Sequence, residues 1–106
     1  MAGKDDVARH YKATPLNVVR IFRALKAASS EGEGFITVSE IARRTGLHKW
    51  TVSRTLDLYM GHIVEVVTPP ELQAIGLQVK LVKLSDPSLS EQQVVSYLRL
   101  RRKIKS

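Results

Sequence analysis

The sequence predicts an α+β domain, mostly α, built as a three-helix core plus a β-hairpin, with one more helix at the C-terminal end. Three observations carry this. Apolar residues recur at helical spacing in segments before residue 60. Two β-branched runs then follow, separated by a break rich in proline and glycine. A last amphipathic stretch runs into a basic tail.

Composition bounds the rest. With 106 residues and 43% hydrophobic content, the chain suits one compact domain and can fill a core. No apolar run approaches the roughly 20 residues of a membrane span. The opening "MAGKDDVARH" has no apolar h-region, so a secretory signal is not expected. The absence of cysteine leaves no disulfide framework and no thiolate metal site, and points to a reducing, cytoplasmic setting. A net charge of +7 favours an anionic partner, nucleic acid being the commonest. The charge is uneven: Gly61 to Leu98 holds Lys80 and Lys83 against Glu65, Glu71, Asp86 and Glu91. The excess lies elsewhere.

Residues 1–13 read as an N-terminal segment with a short leading helix, its acids placed for the dipole and Val7 and Tyr11 on one face. Residues 14–84 read as the main domain. Its first helix opens with Thr14 as cap and Pro15 at the first helical position. Leu16, Val19, Phe22 and Leu25 supply its apolar face, and "SSEGEG" ends it. Phe35 to Thr37 is one edge strand. Thr37 and Glu40 have capping-box spacing, so a second helix runs from near Thr37 to Thr45, with Ile41 and Ala42 inward. Arg43 and Arg44 close it and Gly46 stops it. A third helix covers about 48–60. "HIVEVV" and "LQVKLVKL" are strands, with "TPPELQAIG" a loop between them. Residues 85–106 form a C-terminal helix, capped by Ser90, with a basic tail.

Two short helices joined by a glycine-containing turn are the unit whose second helix enters the DNA major groove. "VSEIARRTGLHKWTVSRTLDLY" fits it. Ala42 is small where the helices cross, Gly46 is at the turn, and Leu47 plugs the core behind it. At roughly 100° per residue, Val52, Thr55, Leu56 and Tyr59 share one side of the third helix. Trp50 falls on the opposite side, close to Arg54 and Asp57, with Lys49 and Ser53 flanking. Arg54 can fork onto guanine or bond a phosphate. Lys49, Thr51 and the free N–H groups of the helix start suit phosphate oxygens. Asp57 can hold Arg54 from one turn on, or accept from cytosine. Arg43 and Arg44 join the candidate contacts. For Trp50 two partners stay open, DNA or a protein surface such as the N-terminal segment or a second subunit.

Over these residues, 14–84 resembles a winged-helix DNA-binding domain of the kind found in MarR-type and small archaeal regulators. The resemblance implies that Lys49, Trp50, Thr51, Ser53 and Arg54 enter or line the major groove. It also implies a wing that reaches the adjacent minor groove or backbone with basic residues. "TPPELQAIG" departs from that pattern, having no base and one acid, Glu71.

In the last helix Val94, Tyr97, Leu98 and Ile104 form an apolar stripe, taken as a dimerisation surface. The other reading packs the stripe back onto the first helix. Arg99, Arg101, Arg102, Lys103 and Lys105 then lie over phosphates or form an electrostatic arm. The expectation is a dimeric, sequence-specific transcriptional regulator on double-stranded DNA. The alternatives are a sequence-tolerant chromatin-type binder and a protein-interaction module in a larger assembly. No nucleophile–base pair or phosphate-cradling loop points to catalysis. His10, His48 and His62 lack ligand spacing, so no metal or cofactor is expected.

Overall fold

The computed structural model of the chain describes the backbone of residues 2–105 and the side chains of residues 14–99. Five helices and a three-stranded antiparallel sheet make an α+β, mostly helical fold. In chain order these are α1 (Ala2–Ser30), β1 (Ile36–Thr37), α2 (Val38–Thr45), α3 (Lys49–Tyr59), β2 (Val64–Val67), α4 (Pro70–Ala74), β3 (Leu81–Leu84) and α5 (Glu91–Lys105). Among the described residues no helix is long and apolar enough to cross a membrane.

The first helix differs from the sequence reading. It is continuous from Ala2, with Pro15 inside it, so the expected boundary between residues 13 and 14 falls within a helix. Proline in a helix interior removes one i→i−4 bond and costs about 3 kcal/mol, which local rules assign to a helix start instead. The buried stripe is also turned. Val18, Ile21, Phe22, Leu25 and Ala28 face the core, whereas Leu16 is exposed. The face proposed for Val7 and Tyr11 lies outside the described side chains.

Around α2 the local signals hold. The Glu40 N–H donates to Thr37 Oγ1 at 3.0 Å, capping the helix. Gly46 ends it at φ 76°, its N–H bonded to the Ala42 carbonyl. Thr45 tightens the exit: its Oγ1 donates to the Ile41 carbonyl at 2.7 Å and accepts from the Leu47 N–H at 3.2 Å. The sheet runs β1-β3-β2, with Ile36 opposite Val82 and Val66 opposite Val82 from the other side. Both hairpin strands are shorter than the runs "HIVEVV" and "LQVKLVKL". The segment read as a plain loop holds α4, with Pro69 at its cap and Pro70 in its first turn. Proline is at home in that position, because its missing N–H would be unpaired there anyway.

One core joins all of this. Ile36, Ile41, Val52, Leu56, Met60, Val82 and Leu84 pack with the α1 stripe. The last helix belongs to the same core, which takes Val94 and Leu98 out of the stripe expected to meet a partner subunit. Val94 and Leu98 are buried within the chain itself, against a core that α1 supplies. Each such side chain contributes about 1.5–3 kcal/mol by leaving water. Polar ties fix the docking. Arg23 grips Glu91 through Nε and Nη2, at 2.6 and 3.1 Å, and Lys26 Nζ donates to the carbonyls of Pro87 and Leu89. Ser90 and Gln93 form a reciprocal capping box, with bonds of 2.8 and 3.2 Å. Tyr97 remains partly exposed and stacks on His62, ring centroids 3.8 Å apart. The Ile104 side chain lies outside the described residues.

Candidate nucleic-acid interface

The exposed face of α3 follows from how its other face is held. Leu47 is half-buried against the core just before the helix, and Val52, Thr55, Leu56 and then Met60 are buried. Thr55 satisfies its hydroxyl by donating to the Thr51 carbonyl at 2.7 Å. At the helix start His48 Nδ1 accepts from the Trp50 N–H at 3.2 Å. The cap fixes the first turn, and the buried stripe fixes the rotation of the helix about its axis.

That rotation sends Lys49, Trp50, Arg54 and Asp57 to solvent, with Thr51 and Ser53 half-buried beside them. Trp50 is 60% exposed, an unusual state for the largest apolar side chain. Its ring is not bare on both sides. The Arg54 guanidinium carbon lies 5.2 Å from the ring centroid, within cation–π range. The expected ion pair from Asp57 to Arg54 does not form among the described residues, so no carboxylate occupies the exposed Arg54 side chain there.

Arg43 and Arg44 behave differently from Lys49 and Arg54. Arg44 donates through Nη2 to both carboxylate oxygens of Glu33, at 2.8 and 2.7 Å, and through Nε to Glu40 at 2.7 Å. Its side chain is only 21% exposed. Its charge and donors are therefore engaged inside the chain, tying the end of α2 to the loop after α1. Arg43 pairs with Glu40 through Nε at 2.8 Å and through Nη2, and stays largely exposed. Together the two guanidinium groups lower the Glu40 pKa from 4.5 to about 2, hydrogen bonds being the larger cause. Glu33 is lowered too, chiefly by its hydrogen bonds from Arg44.

Two arginines that sequence reasoning passed over stand nearby. Arg20 and Arg23, one turn apart on α1, line an open groove of about 710 Å³ together with Arg44 and Gly46. The available signal was their i, i+3 spacing on the polar side of α1. Arg23 is held by Glu91, which leaves Arg20 as the groove's more available cation.

The β2–β3 connection offers no positive charge between Val66 and Val79, and Glu71 is its one charged residue. It is apolar instead: Ile75 is 70% and Leu77 50% exposed, with Val66 and Val67 also exposed. Of the basic tail, Arg99 is exposed on α5, and the side chains of Arg101, Arg102, Lys103 and Lys105 lie outside the described residues. Among the described residues no three His, Asp or Glu side chains gather as a metal-holding group.

No protein-family model matches this chain, and no curated protein or solved structure matches it either. The chemistry of the site rests on its own residues.

Proposed function

We propose that residues 14–84 act as a winged helix that binds double-stranded DNA sequence-specifically, with α3 in the major groove, and that the protein regulates transcription. The observation that carries this reading is the outward face of α3, where Lys49, Trp50 and Arg54 stand exposed on a helix whose rotation the core fixes. A B-DNA major groove admits one α-helix. Lys49 and the first-turn N–H groups suit phosphates, and Arg54 has the fork that guanine accepts. The net charge of +7 supplies the attraction common to all sequences.

Selection of duplexes from a random pool, followed by sequencing, tests this. A shared motif is expected, and its symmetry gives the number of copies bound. Arg54→Ala should keep its melting temperature and lose the preference. Recovery of unrelated duplexes, with affinity falling steeply in salt, would replace the regulator with a sequence-tolerant chromatin-type binder. Retention of no duplex at all would end the DNA reading.

A second reading, a protein-interaction module, is favoured by one observation. The β2–β3 connection presents Ile75 and Leu77 to solvent without basic residues, which suits a protein surface better than a phosphate backbone. Under that reading the double substitution Ile75→Ser and Leu77→Ser removes an association seen by sedimentation. Duplex selection stays as it was.

A further inference from the structure

A guanidinium group offers a ring of N–H donors around its edge and two flat, weakly hydrated faces. In Arg54 the guanidinium carbon stands over the Trp50 ring, 5.2 Å from its centroid. The edge is free of carboxylates, since no ion pair reaches Arg54 among the described residues. Arg54 is exposed, so the side of the group turned away from the indole is able to take an apolar partner. Both side chains lie on the outward side of α3, one helical turn apart.

This geometry selects among DNA steps. When an arginine forks onto guanine O6 and N7, its plane lies close to the plane of that base. The C5 substituent of the pyrimidine on the 5′ side projects into the major groove over the same region. A methyl there meets the open face of the guanidinium, whereas a hydrogen leaves a gap. Resting on the reading of α3 as the groove-facing helix, we infer that Trp50 and Arg54 together read a thymine–guanine step. The Arg54 guanidinium sits between the Trp50 indole and the thymine methyl. Trp50 acts here as a positioning residue: it sets the plane of Arg54, and Arg54 makes the base contact. The ligand class is thus duplex DNA carrying a C5-methylated pyrimidine 5′ to guanine. Thymine meets the requirement, and 5-methylcytosine meets it equally.

The experiment uses the full chain and a duplex motif selected by the wild-type protein. A guanine preceded by thymine is expected at one fixed position. Replacing that thymine by uracil removes the methyl alone, and should weaken binding about fourfold, the worth of one buried methyl group. Placing a cytosine–guanine pair there, which also lacks the methyl, should weaken binding as well, and 5-methylcytosine should recover the loss relative to cytosine. In Trp50→Ala the thymine and uracil duplexes should bind alike, while Trp50→Phe keeps part of the difference. Arg54→Lys should lose the guanine preference, because an ammonium has no planar fork. Far-UV circular dichroism shows that each variant is folded. Equal affinity of the wild type for thymine and uracil duplexes overturns the inference and leaves DNA binding by α3 standing. So does an unchanged thymine-to-uracil ratio in Trp50→Ala. Failure to retain any duplex overturns both.

Discussion

The guanidinium of Arg54 lies over the indole of Trp50, 5.2 Å from the ring centroid and one turn further along α3. An exposed cation–π contact of this kind is worth about 0.5–1 kcal/mol. It biases two exposed side chains a few-fold toward one shared arrangement. The exposure of the ring separates its structural role from its binding role.

Trp50→Ala should therefore lower stability by no more than about 1 kcal/mol, as surface changes do, while weakening duplex binding by about tenfold or more. Thermal unfolding and a fluorescence titration check the two halves. Trp50 is the only tryptophan, so its emission in the wild type reports on this face alone. Quenching on addition of duplex is expected, and an emission unchanged at saturation removes Trp50 from the interface.

The Arg43–Glu40–Arg44–Glu33 network gives a prediction in pH. The folded-state pKa of Glu40 is lowered from 4.5 to about 2. A depressed carboxylate contributes stability above its unfolded value, and that contribution is lost as pH falls through the folded value. Melting temperature should thus decline between about pH 4.5 and pH 2. Glu40→Gln, which cannot titrate, should flatten that decline. Parallel curves for the two proteins would show that the network does not couple to folding.

What was legible in the sequence was what short-range chemistry decides. Thr37, Glu40 and Gly46 marked the limits of α2 because a cap and a left-handed exit are local requirements. The outward placing of Trp50 and Arg54 followed from helical periodicity alone. Where two rules competed, the sequence was ambiguous. Pro15 fits a helix start as well as a tolerated interior position, and only the packing of the whole of α1 decides. Pro70 was the converse case: a sound helix start inside a segment that read as a loop. Contacts between distant residues left no pattern to read. Arg23 meets Glu91 across 68 positions, and Arg44 meets Glu33 across 11. The first ties the start of α5 to α1, and the second engages Arg44 within the chain.

Gly46 supplies a prediction about the turn before α3. Its φ of 76° lies in the left-handed region, although the space around it is open, with nothing within 4 Å of an added Cβ. The cost of Gly46→Ala is then backbone strain without a clash, about 1–2 kcal/mol. Gly46→Asn should cost less, since asparagine tolerates that conformation. Urea titrations of the three proteins give the order. Equal stability of Ala and Gly would mean that the turn relaxes out of the left-handed state.

Leu98 decides whether α5 belongs to its own chain's core. Its side chain is buried with Val94 in a cluster that α1 supplies, and Leu98→Ala should cost about 2–5 kcal/mol, as buried truncations do. Were the same surface a dimer interface, its contribution would follow mass action and the melting temperature would rise with protein concentration. Intramolecular packing makes a different demand: wild type and variant should differ by the same amount at low and high concentration. Neither melting temperature should move with concentration. Thermal unfolding across a hundredfold range of concentration separates the two. A melting temperature that climbs with concentration in the wild type and not in Leu98→Ala would return this face of α5 to a partner subunit.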